Sequence, residues 1–262
     1  MEFTVLTIFP EMFPPFWENG IIRRAIEQGI ISASAINIRD FTTDRHRTTD
    51  DRPYGGGCGM VMKPEPLADA IRTARANAPS SKTVLMTPQG RPFNQRVAEE
   101  LSLVEGLIFV CGRYEGVDER ICRHFIDDEI SIGDYVLTGG ELASMIIMDA
   151  VTRLRPGALG GEESAARDSF SENVLEHAHY TRPRNFEGDE VPDVLLSGNH
   201  REIEKWRLET SLIRTFLKRP DLLRERPLSP HEINILKNWC SDIETIIQTR
   251  SLPDADPPSG GQ

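Results

Sequence analysis

The alternation of strand-like and helix-like segments over residues 1–157 is the feature that most restricts the fold. Short apolar runs such as "FTVLTIF", "KTVLMT" and "GLIFVCG" alternate with segments of helical periodicity such as "PEPLADAIRTARANA" and "NQRVAEELS". Strands that alternate with helices predict an α/β domain with a mostly parallel sheet. Towards the end of this region, "DEISIGDYVL" predicts a strand with a bend at Gly133, and "GELASMIIMDAVTRL" predicts a long helix.

The pattern changes after residue 157. Residues 158–172 are small, polar and Gly-containing, which predicts a flexible interdomain linker. From Asn173 no strand pattern recurs, and two long helices are predicted, one from Asn199 and one with Ser229 as its N-cap. Residues 173–250 are therefore predicted to form a small all-helical domain, and the Pro- and Gly-rich residues 251–262 a disordered tail.

The composition excludes several classes of protein. With 39% hydrophobic and 27% charged residues, the chain is typical of soluble globular proteins, and no apolar run approaches the ~20 residues of a membrane span. The N-terminal "MEFTVLTIFPEMF" lacks the basic segment of a signal peptide and predicts a first strand. None of the four cysteines forms a C-x-x-C pair, which argues against a zinc or redox site. We therefore expect a cytoplasmic protein without a dedicated metal site.

The charge distribution leaves two interpretations open. A net charge of −11 argues mildly against a nucleic-acid partner. Residues 201–226, however, carry eight basic and five acidic side chains, a local charge of +3. This basic stretch fits an RNA-contacting face and fits an ordinary solvated helix face equally well.

Three loops rich in Gly are predicted to follow strands of the first domain. They are "TPQGRPF" (87–93), "CGRYEGVDER" (111–120) and "IGDYVLTGGE" (132–141). Ligands of open α/β sheets bind at this edge, and glycines let backbone groups approach them closely. None of the loops matches a dinucleotide or phosphate-loop motif, so the expected ligand is not a cradled pyrophosphate. Backbone groups flanked by Met86, Leu137 and Leu142 would suit a purine with a polar, amino-acid-like tail.

Other residues permit a functional and a structural interpretation. The Gly-rich stretch 51–62 fits a phosphate-binding nest or a mobile hinge. Asp168 would ordinarily be a solvated spacer or an N-cap, and Arg153 a cation favoured by the dipole of its helix. His177 and His179 have a spacing that permits metal binding, but no third ligand is evident, which favours surface or packing roles.

Six motifs occur together and in order: "RPYGGGCGMVM", "TPQGRPFNQ", "CGRYEGVDER", "SIGDYVLTGGE", "DSFSENVLEHAHYTRP" and "LLSGNHREIEKWR". On these motifs the chain closely resembles the bacterial tRNA (guanine-N1)-methyltransferases of the SPOUT, or trefoil-knot, class. The resemblance runs from "FTVLTIFPEMF" to about "RPDLL", and it departs from the family pattern at Cys58 and in "AARDSF". It implies that residues 1–157 form a knotted domain that binds S-adenosylmethionine and that 173–250 bind tRNA.

The resemblance also implies site residues. The cofactor-binding residues would be Met86, Thr87, Pro88, Gln89, Gly112, Arg113, Tyr114, Glu115, Gly116, Ser131, Ile132, Gly133, Asp134, Tyr135, Val136, Leu137, Gly139 and Gly140. The methyl group would go to N1 of the guanosine immediately 3′ of the anticodon. Asp168 would be the general base that removes the N1 proton, and Arg153 would stabilise the negative charge that develops on O6.

The resemblance further implies a homodimer with active sites at the subunit interface. One subunit would supply the knot, and the other the linker and the helical domain, which grips the anticodon stem-loop of tRNA. Magnesium is implied as a requirement of the family, although no ligand cluster for it is evident in the sequence. Two alternatives stay open: a SPOUT-type methyltransferase for another RNA position, such as a ribose 2′-OH, and a non-catalytic RNA-binding dimer.

Overall fold

The computed structural model describes residues 1–160, 168–170 and 172–250, and side chains as far as residue 245. The chain divides into two compact units, Met1–Ala166 and Arg167–Gln262. This division falls inside the predicted linker 158–172, of which residues 161–167 and 171 lie outside the described residues. The predicted tail 251–262 also lies outside them. Within the described ranges, no helix is long and apolar enough to cross a membrane.

Unit 1 alternates strands and helices along the chain. The strands are β1 (Glu2–Thr7), β2 (Ser32–Asn37), β3 (Asp50–Asp51), β4 (Val61–Met62), β5 (Ser81–Pro92), β6 (Gly106–Cys111) and β7 (Asp128–Ser131). The helices are α1 (Pro14–Trp17), α2 (Gly20–Glu27), α3 (Pro64–Asn77), α4 (Gln95–Ser102), α5 (Glu119–Phe125) and α6 (Glu141–Arg153), with 3-10 turns at Pro10–Met12 and Ile38–Phe41.

Five of these strands form one sheet in the order β2-β1-β6-β5-β7, and every neighbouring pair is parallel. The predicted α/β domain with a mostly parallel sheet is therefore confirmed. The two-residue strands β3 and β4 form a separate antiparallel pair inside the long polar stretch. Strand β6 is the middle strand, and all six of its residues are buried, as expected of a strand covered by helices on both faces.

The core lies on both faces of the sheet because successive side chains of a strand point to opposite faces. On one face, Phe3 of β1 stacks on Phe109 of β6 with ring centroids 6.1 Å apart, and helices α2, α4 and α6 contribute to this cluster. On the other face, Leu6 and Ile108 pack in a cluster with Ile71 of α3 and residues of α5. The alternation of β1 and β6 between two apolar clusters explains why their sequences are continuous apolar runs.

The segment after β7 corrects one prediction. The strand predicted through "DYVL" ends at Ser131, and residues 132–140 form an irregular loop in which Tyr135 and Val136 are exposed. The chain leaves the sheet at Gly133, whose φ of +144° is unfavourable for other residues. The Tyr135 amide donates a hydrogen bond to the Gly133 carbonyl, 2.9 Å away, which closes a tight turn in place of a strand ladder.

Strand β5 corrects a second prediction. The sequence predicts a loop at residues 87–93, yet β5 continues to Pro92 beside β7, with a shift of register between Met86 and Arg91. A Cβ atom at Gly90 would overlap the backbone of Glu129 and Ile130, so the bulge requires a glycine there.

Unit 2 contains helices α7 (Asp193–Leu196), α8 (His200–Lys218), α9 (Pro220–Arg224) and α10 (Pro230–Arg250). The predicted starts of its two long helices are confirmed. The Asn199 side chain accepts from the Glu202 amide at 3.4 Å, and Ser229 and Glu232 exchange backbone-to-side-chain hydrogen bonds of 2.7 and 3.3 Å in a capping box.

The expectation that no strand follows Asn173 is wrong. Strands β8 (Asn185–Phe186) and β9 (Asp189–Glu190) form an antiparallel hairpin whose turn residues, Glu187 and Gly188, both have positive φ. Two central residues with positive φ are typical of a type I′ hairpin turn. The hairpin is too short to produce the alternation of apolar and polar residues by which strands are recognised.

Candidate functional site

A pocket of about 320 Å³ lies at the carboxyl ends of β5, β6 and β7, where the sequence analysis expects a ligand. The start of α6 closes one side of it. Its volume is at the lower end of the range for small-molecule sites. Its wall consists of Leu85–Gln89, Gly112–Val117, Glu119, Cys122, Glu129–Gly133, Tyr135–Gly140 and Ala143.

The pocket brings together all the sequence-predicted cofactor residues except Asp134, which is exposed in the loop after β7. Sequence reasoning missed several neighbours in the wall: Leu85, Val117, Glu119, Cys122, Glu129, Ile130, Thr138 and Ala143. These residues belong to the pocket because β7 pairs with β5 and because α5 follows the loop after β6. Strand order of this kind is not visible in local sequence patterns.

The loops of the pocket are joined to one another by backbone contacts. The Gly140 amide donates to the Gly112 carbonyl at 3.0 Å, and Arg113 and Gly139 form an isolated antiparallel bridge. A Cβ atom on Gly140 would lie 2.8 Å from the Cα of Cys111 and 2.9 Å from the Cβ of Met86. Gly140 is therefore required by packing within the chain, whereas its sequence context suggested close approach of a ligand.

A buried ion pair between Arg113 and Glu141 lies next to Gly139. The Glu141 side chain is 1% exposed, and its carboxylate accepts from Arg113 Nε at 3.1 Å and Nη2 at 3.0 Å and from Thr7 Oγ1 at 2.7 Å. The Arg113 guanidinium also lies 4.4 Å from the ring centroid of Phe9, within cation–π distance. A Cβ atom on Gly139 would overlap both partners of the ion pair.

Sequence reasoning missed Thr7, Phe9 and Glu141. An acidic residue in the first turn of a helix is ordinary, because the helix dipole favours negative charge there. No local pattern therefore indicates that this carboxylate is buried and paired. The residues that meet it come from three different strand ends: β1, β6 and the segment after β7.

The thiol nearest to this ion pair is not suited to nucleophilic chemistry. Cys111 is fully buried, and burial, followed by the nearby Glu141 carboxylate, raises the pKa of its thiol. A thiol must ionise to act as a nucleophile. Cys111 is therefore a packing residue.

The Gly-rich stretch 51–62 packs against the pocket loop on one side. The Glu115 amide donates to the Met60 carbonyl and the Met62 amide to the Gly116 carbonyl, both at 3.0 Å. A side chain at Gly59 would collide with Glu115, while Cβ atoms at residues 55–57 would meet nothing within 4 Å. The far side of the stretch is thus open, and both its hinge and its nest interpretation stay predictions.

Sequence comparisons identify the family. The family model described as tRNA (Guanine-1)-methyltransferase TrmD matches residues 1–225. The chain belongs to this family. It is 56% identical over 257 residues to a tRNA (guanine-N(1)-)-methyltransferase of Desulfatibacillum aliphaticivorans, covering 97% of this chain and 98% of the relative. A protein of the same name from Carboxydothermus hydrogenoformans is 53% identical over 254 residues, with 97% and 99% covered.

The two catalytic residues implied by the family resemblance lie in different units. Arg153 is the last residue of α6 and is half-buried. Asp168 is half-buried in a bend of unit 2, two residues before Phe170, whose φ is +77°. Their roles stay predictions.

The histidine pair of unit 2 lies in an aromatic cluster. The rings of His177 and His179 are 4.4 Å apart, and Trp206 lies 6.2 Å from both His177 and Tyr180. Among the described residues, no three His, Cys, Asp or Glu side chains converge as metal ligands. The magnesium requirement that the resemblance implies stays a prediction, and we assign no step to the ion.

The basic stretch 201–226 is partly neutralised by its own acids. Its ion pairs include Arg207–Glu204, Lys205–Glu209 and Arg219–Asp221 within the stretch, and Arg226 pairs with Glu232 beyond it. Most of these ion pairs are exposed, and exposed ion pairs are weak. Their Lys and Arg side chains can therefore leave the carboxylates and bind phosphate groups instead. Both interpretations of this stretch therefore stay open.

Proposed function

We propose that this chain transfers the methyl group of S-adenosylmethionine to N1 of the guanosine immediately 3′ of the anticodon in tRNA. Its family membership establishes the activity class: the chain is a tRNA (guanine-N1)-methyltransferase. The observation that carries the donor assignment is the pocket, which collects residues 86–89, 112–116, 131–133 and 135–140 at one sheet edge.

The chemistry of the pocket wall fits this donor. Five residues of the wall are glycines, whose backbone N–H and C=O groups a ligand can approach closely, as an adenine, a ribose and an amino-acid end would require. Leu85, Ile130, Leu137 and Ala143 supply apolar surface for the purine ring. S-adenosylmethionine, when bound, supplies an electrophilic methyl group on a sulfonium.

We also propose that the segment from β7 to α6 is threaded into a trefoil knot, as the family resemblance implies. Tight packing between the segments supports this proposal. The backbone of Glu129 and Ile130 is in tight contact with Gly90. Before α6 begins, Gly139 and Gly140 form backbone contacts with Arg113 and Gly112. Such threading is rare in proteins, so it has to be argued from specific contacts.

In the proposed reaction, the Asp168 carboxylate accepts the proton of guanine N1. With the proton removed, the N1 electron pair would be free to form a bond to the methyl carbon that S-adenosylmethionine would supply, and the thioether would be the neutral leaving group. Negative charge grows on the guanine O6 as the proton leaves, and the Arg153 guanidinium stabilises it. To reach the donor, the guanosine is extruded from its stack.

We propose a homodimer in which one subunit supplies the donor pocket and its partner supplies Asp168 and the tRNA-binding helices. Large apolar side chains near the pocket support an interface there, since Tyr114, Tyr135, Val136, Leu142 and Ile146 are all about half exposed or more. Contiguous exposed apolar residues often mark interaction sites. Unit 2, with its basic stretch 201–226, is the part proposed to contact the phosphates of the anticodon stem-loop.

We place the reaction in the cytoplasm. All four cysteines of the chain are free, which suits a reducing compartment.

The experiment that tests the proposal compares two tRNA transcripts, one with G and one with A immediately 3′ of the anticodon. We expect methylation of the first only, with the label at N1 of that base. Equal methylation of both transcripts would refute the proposed position and favour another RNA target. Absence of S-adenosylmethionine binding in calorimetry, with tRNA affinity intact, would favour a non-catalytic RNA-binding dimer.

The proposed base is tested by Asp168→Asn, which keeps the shape and removes the basicity. We expect turnover to fall by roughly 10²–10⁴-fold, the usual contribution of a general base, while calorimetry shows unchanged binding of S-adenosylmethionine. Asp189→Asn, at an exposed carboxylate of the same unit, is the matched control and should keep full activity. Turnover within threefold of the wild type in Asp168→Asn would remove this residue from the role.

A further inference from the structure

The ion pair between Arg113 and Glu141 is buried beside the pocket, which is an unusual position for two charged side chains. The Glu141 side chain is 1% exposed and the Arg113 side chain 16% exposed, and the pair lies against the pocket wall. Burying charges costs free energy that a hydrophobic pair would not cost, so a buried ion pair is weak evidence for a role in stability. A role in the chemistry of the pocket is the better explanation.

The charges of the wall support such a role. Among the described residues that line the pocket, Arg113 is the one cation, whereas Glu115, Glu119 and Glu129 are acidic. Without compensation, the largely buried guanidinium would repel a cationic ligand, and the exposed carboxylates of Glu115 and Glu119 offset this repulsion little, because water screens exposed charges. The Glu141 carboxylate, about 3 Å from two guanidinium nitrogens, cancels this repulsion.

We propose that Glu141 is a positioning residue that neutralises Arg113 and thereby lets the pocket bind a cationic, sulfonium-bearing donor. The proposal rests on the function proposed above. It also explains why Arg113 is present, because the guanidinium, held by Glu141 and by the Phe9 ring, joins the strand ends of β1 and β6 to the start of α6. The charge of the Arg113 side chain is then needed for the architecture of the loops and has to be cancelled for the ligand.

The two ligands that separate charge from shape are S-adenosylmethionine and S-adenosylhomocysteine. They share nearly all their atoms, but only the first carries a positive charge on sulfur. A structural defect in the pocket weakens both, whereas an uncompensated guanidinium weakens mainly the cation. The quantity to measure is therefore the ratio of the two dissociation constants, by calorimetry at low salt.

The main variant is Glu141→Gln, which keeps the shape of the side chain and removes its charge. At a separation of ~10 Å and an effective dielectric constant of ~20, the uncompensated cation should weaken S-adenosylmethionine binding roughly tenfold more than S-adenosylhomocysteine binding. Thr7→Val is the matched control, because it removes a hydrogen bond to the same carboxylate without changing any charge. It should change both affinities by the same factor.

A double variant completes the test. Glu141→Gln/Arg113→Gln removes both charges and should return the ratio to within about twofold of the wild type. If Glu141→Gln does not fold, Glu141→Gln/Arg113→Lys leaves an unpaired cation that can relax towards water, and at least a threefold shift is expected. An unchanged ratio in the variant that folds refutes the inference, whereas failure of the wild type to bind S-adenosylmethionine refutes the proposed function itself.

Discussion

Substitution of Gly140 by alanine tests whether the pocket loops are held by their own packing. The backbone of Gly140, with φ −80° and ψ −5°, is ordinary for alanine, so no torsional strain arises. The added Cβ atom would lie 2.8 Å from the Cα of Cys111, about 0.6 Å short of the 3.4 Å at which ordinary contact begins (3.4 − 2.8). Its other neighbour, the Cβ of Met86, is equally unable to move by a change of rotamer.

The loops must therefore separate. Overpacking of this kind costs about 1–3 kcal/mol, and the lower entropy of the unfolded alanine chain offsets about 0.4–1 kcal/mol of it. We expect a net loss of about 1–2 kcal/mol. With a urea dependence of about 2 kcal/mol per M, this lowers the unfolding midpoint of unit 1 by roughly 0.5–1 M.

The matched control is Gly112→Ala. Gly112 accepts the hydrogen bond from the Gly140 amide, but the atom nearest to its added Cβ would be Val117 Cγ1 at 3.6 Å, an ordinary contact. We expect this variant to be as stable as the wild type or slightly more stable. Urea unfolding followed by circular dichroism compares the two. Equal midpoints for both variants would refute the argument that Gly140 is required by packing.

Two further predictions concern the stability of each unit. Burial opposes the ionised form of Glu232, but hydrogen bonds from Arg226 and from the Ser229 amide outweigh it, and the pKa of this carboxyl lies below its ordinary value of 4.5. The ionised carboxylate thus stabilises unit 2 above pH 4.5, and this contribution is lost as the pH falls through the lowered pKa. In thermal melts, the difference between wild type and Glu232→Gln should shrink below that pH, and a constant difference would contradict the assignment. In unit 1, Phe109→Ala should cost about 3–5 kcal/mol, because it empties the centre of a fully buried ring stack; a loss below 1 kcal/mol in urea unfolding would show that the core closes over the cavity.

The parts of the fold that were predictable depend on local interactions. The alternation of strands and helices in unit 1 is encoded in apolar periodicity, and the starts of α8 and α10 in the capping residues Asn199 and Ser229. The segment 132–137 was not predictable: the sequence predicts a bend at Gly133, but the apolar run "DYVL" after it resembles a continuing strand, and no local pattern indicates that the strand ends at Ser131. Likewise, the continuation of β5 past its bulge depends on a pairing with β7 that no local pattern indicates.

The candidate site divides in the same way. The residues of its wall were named from motifs, and the structure gathers nearly all of them in one pocket. The carboxylate of Glu141 was not named, because its burial results from three strand ends meeting in space. When residues distant in the chain bury a charged side chain, no local pattern in a single sequence indicates it.

The bulge of β5 has a consequence for ligand entry. Residues 87–90 leave the ladder after Met86 and rejoin it at Arg91, so both ends of this wall are fixed by the same neighbouring strand. Because both ends of this segment are held, it loses little conformational entropy when a ligand binds. The free energy of binding is correspondingly more favourable. Any loop movement that admits the ligand is therefore expected in the other parts of the wall, the loops after β6 and β7.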